Sequence, residues 1–482
     1  MLACACAALV LAGGASAVTW GVTEDSMATP GFFDSLADLG MTENRLSIAW
    51  NPATPNQIDN KADLDWFVPQ AAIHNVRVVF SVAPAHPTDI TGTRSAPVQY
   101  ASFLKLLAQT YPAVKDYVIG NEPNQPRFWQ PQYIRGVPVS GATYEPLLAR
   151  SYDTLKRVDP TINVIGMGLS PRGNDNPAAA SNVSTSPVRF LHDVGVAYRK
   201  SKRTKPIMDE LAFHPYPQSN TDGPTTGYQW PKAGLANLDR IKQAVWDAFH
   251  GTAQATFAER GNKASRPLTL DLDEVGWQAT IPASLKSFYT GRETAITIDE
   301  QTQARYYSQV VQLVACDTTV RVLSFFHLYD ETDLDRWQSG LVRADGSKRP
   351  AYGAVKSAIA QYGTCTRGPV KWSHTTIVRG AKARFGKQLA LTAQEGATYR
   401  AAVIRLPARG GLSRAAIKRA LLAGRSPRRA AIATGAVQPY RFKPVLLNTR
   451  RLKPGRYVIA VGFAATMNSS RTSFAFGRPF RR

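Results

Sequence analysis

The sequence predicts an α/β chain: a (β/α)8 barrel followed by a small β-sandwich domain. Three observations carry this. Eight short apolar runs alternate with helical patterns between residues 18 and 363, the rhythm of a barrel. The doubly wound open sheet is the competing fold, but the first run ends "WGVTEDS", with one glycine and no phosphate-cradling loop. Finally, residues 366–482 hold 25 Lys and Arg against one acid, Glu395, a net of +24, while the first 365 residues hold 33 basic and 34 acidic side chains. A charge shift that abrupt marks a domain boundary.

In chain order, the strand candidates are "VTWGV" (18–22), "ENRLSIAW" (43–50), "RVVFSVA" (77–83) and "DYVIGNE" (116–122). They continue with "NVIGMGLS" (163–170), "IMDELAFHPY" (207–216), "LTLDLDEVGW" (268–277) and "RVLSFFHLY" (321–329). Between them lie "FFDSLADLG", "PVQYASFLKLLAQTY", "YEPLLARSYDTLKRV", "VRFLHDVGVAYRK", "LANLDRIKQAVWDAFH" and "QARYYSQVVQLVAC", and "RPAYGAVKSAIAQY" closes the series. Each has apolar residues at i, i+3 and i+4, the spacing of one buried helix face. Beyond Arg367, "KQLALTA", "TYRAAVIRL", "GRYVIAVGF" and "RTSFAFG" are short alternating runs separated by Gly and Pro, a sandwich pattern. One helix interrupts them, "LSRAAIKRALLAG", with Ser413 as N-cap and Gly424 as stop.

The first 17 residues, "MLACACAALVLAGGASA", have the apolar stretch and small-residue end of a secretory signal peptide cleaved after Ala17. The expected domains are therefore the signal at 1–17, a catalytic barrel at 18–365 and a basic accessory domain at 366–482. Such a chain is secreted, extracellular or held at the cell wall. No apolar run reaches the roughly 18 residues that a membrane span needs. Removing the signal leaves Cys316 and Cys365 as the only cysteines. In an oxidising compartment the expectation is one disulfide, with two free thiols as the alternative. A net of +24 in the second domain attracts polyanions, of which cell-wall polymers, acidic polysaccharides and anionic lipid surfaces are accessible to a secreted protein. Specific nucleic-acid binding is not expected, since no recognition motif is present.

The chemistry gathers at strand ends, where barrels build their sites. The fourth strand runs into Asn121 and Glu122. The seventh carries Glu274, which shares parity with Leu270 and Leu272 and is expected to face inward with them. Asp271 and Asp273 have the opposite parity and read as partners in the helix layer. Two inward carboxylates on strands four and seven are the machinery of glycoside hydrolysis: one protonates the leaving oxygen, and the other attacks the anomeric carbon or activates water. No cofactor or metal is expected; "YDETDLDRW" (329–337) has four acids but lacks the glycine and spacing of a calcium loop.

"GNEP", "DEVGW" and the closing "WQSGLVRADGSKRPAY" (337–352) give the first domain a recognisable form. Residues 18–363 resemble the retaining glycoside hydrolases of clan A, the cellulase, mannanase, xylanase and β-xylosidase superfamily, with families 5 and 39 nearest. The resemblance implies a hydrolase for β-linked oligo- or polysaccharides, with Glu122 as acid/base and Glu274 as nucleophile. It further implies that Asn121 contacts the sugar 2-hydroxyl, that Arg45 holds the nucleophile ionised, and that His214 and Tyr216 line the site. Trp50, Trp129 and Trp277, with Trp20, stand near strand ends as sugar platforms, and Tyr329 is available beyond strand eight. That strand, "SFFHLYDE", departs from the family by lacking the usual tryptophan, with Trp337 several residues later. Alternatives are a transglycosylase with the same residues, or an inactive wall- or carbohydrate-binding protein on a barrel scaffold. Near the end, "LKPGRYVIAVGF" resembles the last hairpin of immunoglobulin- or fibronectin-like modules appended to secreted bacterial enzymes.

Overall fold

Eight parallel strands close on themselves in the computed structural model, which describes residues 18–27, 29–260, 266–365, 368–386, 388–424, 431–450 and 452–482. The signal segment expected at 1–17 lies outside the described residues. The barrel strands are β1 (Thr19–Thr23), β2 (Glu43–Trp50), β3 (Arg77–Pro84), β4 (Asp116–Ile119), β5 (Asn163–Leu169), β6 (Glu210–Phe213), β7 (Thr269–Val275) and β8 (Val320–Phe326). Each pairs with its neighbours in sequence and β8 returns to β1, so no edge is left to pair elsewhere.

Helices α1 (Phe32–Leu39), α2 (Lys61–Ile73), α3 (Ala96–Thr110), α4 (Ser140–Val158), α5 (Pro187–Ser201), α6 (Leu238–Phe249), α7 (Glu300–Val314) and α8 (Pro350–Tyr362) fill the crossovers. Seven of them match the periodic segments, and α2 does not. Its buried face, Leu64, Phe67, Val68 and Ala71, is regular, but exposed Trp66 and Ile73 and an internal Pro69 hide the pattern. No described helix is long and apolar enough to cross a membrane.

Alternation along the strands sorts the barrel interior into three levels. Lowest is a charged floor of Glu43, Arg77, Asp116, Glu210, Asp271 and Arg321. Two residues further along lies a thin apolar layer of Val79, Val118, Ile165 and Ala212. Two further still are Ser81 and His214, at the C-terminal mouth. Outward-facing residues such as Phe80, Tyr117, Leu270 and Leu272 pack under the helices in the main core.

The floor holds four carboxylates against two guanidiniums. Arg77 Nη1 meets Asp116 at 3.1 Å, and Arg321 Nη2 lies 3.5 Å from Asp116 and 3.6 Å from Asp271. Burial, followed by the charge of Asp273, raises the Asp271 carboxyl to about 8. Burial and the neighbouring Asp271 and Asp116 push Glu210 upward as well.

The segment after α8 folds into antiparallel sheets. Strands β9 (Lys382–Arg384), β10 (Leu389–Thr392) and β13 (Lys443–Val445) form one sheet. The other contains β11 (Ala397–Leu406), β12 (Ile432–Val437), β14 (Arg456–Ala465), β15 (Thr472–Phe476) and β16 (Phe480–Arg481). Helix α9 (Arg414–Leu422) begins at Ser413, whose Oγ accepts from the Ala416 N–H at 3.2 Å, and Gly424 follows with φ 66°. A disulfide joins Cys316 to Cys365, tying the turn after α7 to the end of α8.

The second domain is locked to α6. Arg471, 3% exposed, pairs with Glu395 and places Nε 3.1 Å from Asp247. The Trp246 indole is stacked between His250 and His374, each at 4.0 Å.

Candidate active site

Strand β4 stops at Ile119, earlier than the apolar run predicts, because Gly120 turns the chain at φ 83°. Glu122 itself holds φ 39°, a conformation rare for a residue with a Cβ. Its N–H donates to the Gly168 carbonyl at 2.9 Å, and its carbonyl accepts from the Gln125 N–H at 2.8 Å. The clamped kink presents a partly buried acid at the barrel mouth in a sparsely populated backbone conformation.

On β7 the parity reading requires correction. Leu270 and Leu272 face the helices, while Asp271 and Asp273 point into the barrel. Glu274 nevertheless reaches the mouth, because pairing with β8 slips there: Leu323 faces Leu272, but Phe325 faces Val275. This bulge adds one residue to β7, so Asp273 and Glu274 serve the same side. The two aspartates are interior groups, and Asp273 belongs to the site.

Arg45 organises what converges there. Its Nη1 donates to Glu274 Oε1 at 2.9 Å, and its Nη2 donates to Ser81 Oγ at 2.8 Å and Asn121 Oδ1 at 2.9 Å. Its Nε lies 2.9 Å from Asp273 Oδ2. Burial alone would lower its affinity for a proton, but the charges of Asp273 and Glu274 outweigh that and raise it.

His214, fully buried at the end of β6, touches three carboxylates. Nδ1 lies 3.1 Å from Glu122 Oε1 and 3.3 Å from Glu274 Oε2, and Nε2 lies 3.3 Å from Asp273 Oδ1. Burial disfavours the charged ring, yet Glu274 and Asp273, with hydrogen bonds to Asp273 and Glu122, lift it to about 10. It is an imidazolium at neutral pH. The same fields hold the Asp273 carboxyl down: burial works against the anion, and His214 and Arg45 more than compensate. Tyr216 donates to Glu274 Oε2 at 3.0 Å, and burial and that neighbouring charge raise its phenol well above the ordinary range.

Because one nitrogen touches both Glu122 and Glu274, their nearest oxygens are separated by no more than the sum of those two contacts.

The structure thus brings Glu122, Glu274, Asn121, Arg45, His214 and Tyr216 together. It does not bring the expected tryptophans. Trp50 is wholly buried against Tyr100, Trp129 donates to Thr143 Oγ1 at 3.0 Å under Tyr144, and Trp277 donates to the Asp222 carbonyl at 2.8 Å. None of the three exceeds 1% exposure, and Trp20 is buried too, so these indoles are core and loop anchors. Tyr329 lies beyond the end of β8, its N–H held by Glu24 Oε2 at 2.9 Å and its ring packed against the main core. The aromatic surface comes instead from Trp337, half-exposed, whose ring lies 4.8 Å from Tyr216 and 5.7 Å from Phe326. Within the 329–337 loop, Asp330 is buried against Arg349 and Tyr289. Among the described residues no group of His, Cys, Asp and Glu is arranged to hold a metal ion.

No family model matches the chain, and no curated protein does. Among solved structures it is similar to a family 39 glycoside hydrolase from the gut symbiont Bacteroides cellulosilyticus WH2, at 16% identity over 83% of this chain and 74% of that one, with a TM-score of 0.49. It is also similar to a glucosidase from Croceicoccus marinus, at 13% identity over 88% and 93% of the two chains, TM-score 0.48. A GH2 beta-galacturonidase from Eisenbergiella tayi matches at 13% identity and TM-score 0.41 over 69% of this chain, which spans 46% of that protein's length.

Proposed function

We propose that this chain is a retaining glycoside hydrolase for β-linked sugars, exported from the cell, with Glu274 as nucleophile and Glu122 as acid/base. The observation that carries the reading is the shared His214 nitrogen, which brings two carboxylates from β4 and β7 within reach of one anomeric centre.

The donors around the pair divide the roles. Glu274 faces Arg45, Tyr216 and His214, three donors that stabilise an anion aimed at carbon. Glu122 faces His214 alone among these and has the larger exposure, 16% of its side chain against 10%, which suits a group exchanging a proton with a leaving oxygen and then with water. In the first step Glu274 forms a bond to the anomeric carbon while Glu122 gives its proton to the departing oxygen. In the second, Glu122 takes a proton from water as it displaces Glu274. Asn121, its Oδ1 occupied by Arg45, keeps its NH2 for a sugar hydroxyl. Trp337 supplies the stacking face that β8 lacks. The disulfide supports export.

Glu274→Gln is expected to abolish turnover and covalent labelling by a slow fluoro-sugar. Glu122→Gln should retain substrates with good leaving groups, which need no protonation, and lose the others. Wild-type rates for Glu274→Gln on a panel of chromogenic glycosides would overturn the reading. Sugar binding with no turnover in the wild type would favour the inactive binding protein instead.

A further inference from the structure

The second domain carries an apolar trough on a surface of one sign of charge. A groove of about 690 Å3 is walled by Phe385, Leu389, Val445, Leu447, Ile459 and Phe480. Leu446, 82% exposed, lines it too, and Phe442, 73% exposed, flanks the other end of β13. Exposed Lys443, Arg450, Arg478 and Arg482 accompany them: Arg478 lines the groove, and Arg482 Nη2 donates to the Arg450 carbonyl at 2.7 Å. No Asp or Glu side chain offsets these cations, since the domain's single acid, Glu395, is buried against Arg471.

We propose that this face docks on an anionic lipid bilayer, with Phe442 and Leu446 entering the interfacial zone and the Lys and Arg side chains meeting lipid phosphates. Charge alone would serve for any polyanion, so the apolar side chains decide the occupant. A hydrophilic wall polymer gains nothing from a protruding Phe and Leu, whereas a bilayer interface removes both from water while its surface potential attracts the cations. Large apolar side chains clustered and rimmed by polar ones mark such contact surfaces. The inference is independent of the chemistry proposed for the barrel.

The test uses the full chain and sedimentation with vesicles of phosphatidylcholine alone or with about 30% phosphatidylglycerol, at about 0.1 M and about 1 M salt. Binding is expected to the anionic vesicles, to fall with salt, and to weaken about tenfold or more in Phe442→Ser/Leu446→Ser, whose charge is unchanged. Both side chains are exposed, so that variant should melt like the wild type. Leu446→Cys carrying an environment-sensitive dye should shift its emission to the blue on anionic vesicles. Equal vesicle binding by the double variant and the wild type would overturn the proposal in favour of a soluble polyanion, as would unshifted dye emission. A dimer converted to monomer by the same double substitution would overturn it in favour of a second copy of the chain.

Discussion

Replacing His214 by Gln removes the imidazolium that Glu122, Asp273 and Glu274 share, and its effect on stability should depend on pH in a definite direction. The ring is lifted from 6.5 to about 10 in the folded chain. A group held above its unfolded value contributes fully below about 6.5, and the contribution is lost as pH rises through about 10. At about 1.36 kcal/mol per pH unit the displacement corresponds to something near 5 kcal/mol, while breaking buried ion pairs in proteins costs about 3–5 kcal/mol, so the lower part of that range is the working figure. Urea unfolding of wild type and His214→Gln at pH 6 and pH 10 measures it, because tyrosines and lysines that titrate in both chains cancel in the difference. The gap should be about 3–4 kcal/mol at the lower pH and close most of the way at the higher. A gap of the same size at both values, or a ring titrating near 6.5 by NMR, would refute the shared-cation account.

Asp271→Asn should stabilise the barrel by a few kcal/mol near pH 8 and by little near pH 4, since the native carboxyl, raised to about 8, makes the wild type lose stability across that interval; paired melting curves decide it. Trp337→Ala should raise KM for glycosides about tenfold with little loss of melting temperature, whereas Trp277→Ala, which empties a core position, should cost about 3–5 kcal/mol of stability. If the kinetics respond to Trp277 and not to Trp337, the stacking face is elsewhere. Cys316→Ser opens a loop spanning 49 positions and should cost about 3–4 kcal/mol, read as a lower unfolding midpoint under non-reducing conditions that the reduced wild type reproduces.

The barrel was legible because its strands and helices obey simple periods, and Glu122, Arg45 and His214 because strand-end polar residues stand out against apolar runs. What sequence concealed lies where periodicity breaks. Period-two counting assigned Glu274 the side of Leu270 and Leu272, and only the slipped pairing between β7 and β8 shows that the acid arrives by a bulge that also admits Asp273. A fully buried carboxylate spaced out of step with its neighbour carries no local signal. The tryptophans failed for a different reason: position near a strand end does not tell whether an indole faces the mouth or the helix layer, and burial takes Trp50, Trp129 and Trp277. Trp337 comes back to the mouth through a turn that no propensity rule draws.

The bridge that Arg471 makes between Glu395 and Asp247 has a consequence for how copies of this chain meet. The accessory domain withdraws its one negative side chain to fasten itself to the barrel, so its outer surface has no patch with which a twin could form complementary charge contacts. Accessory domains of two molecules repel at low ionic strength, and each can approach the neighbour's more neutral barrel more readily than the neighbour's tail. Crowded on an oppositely charged support, such molecules would space themselves out, leaving the barrel mouths unobstructed by one another.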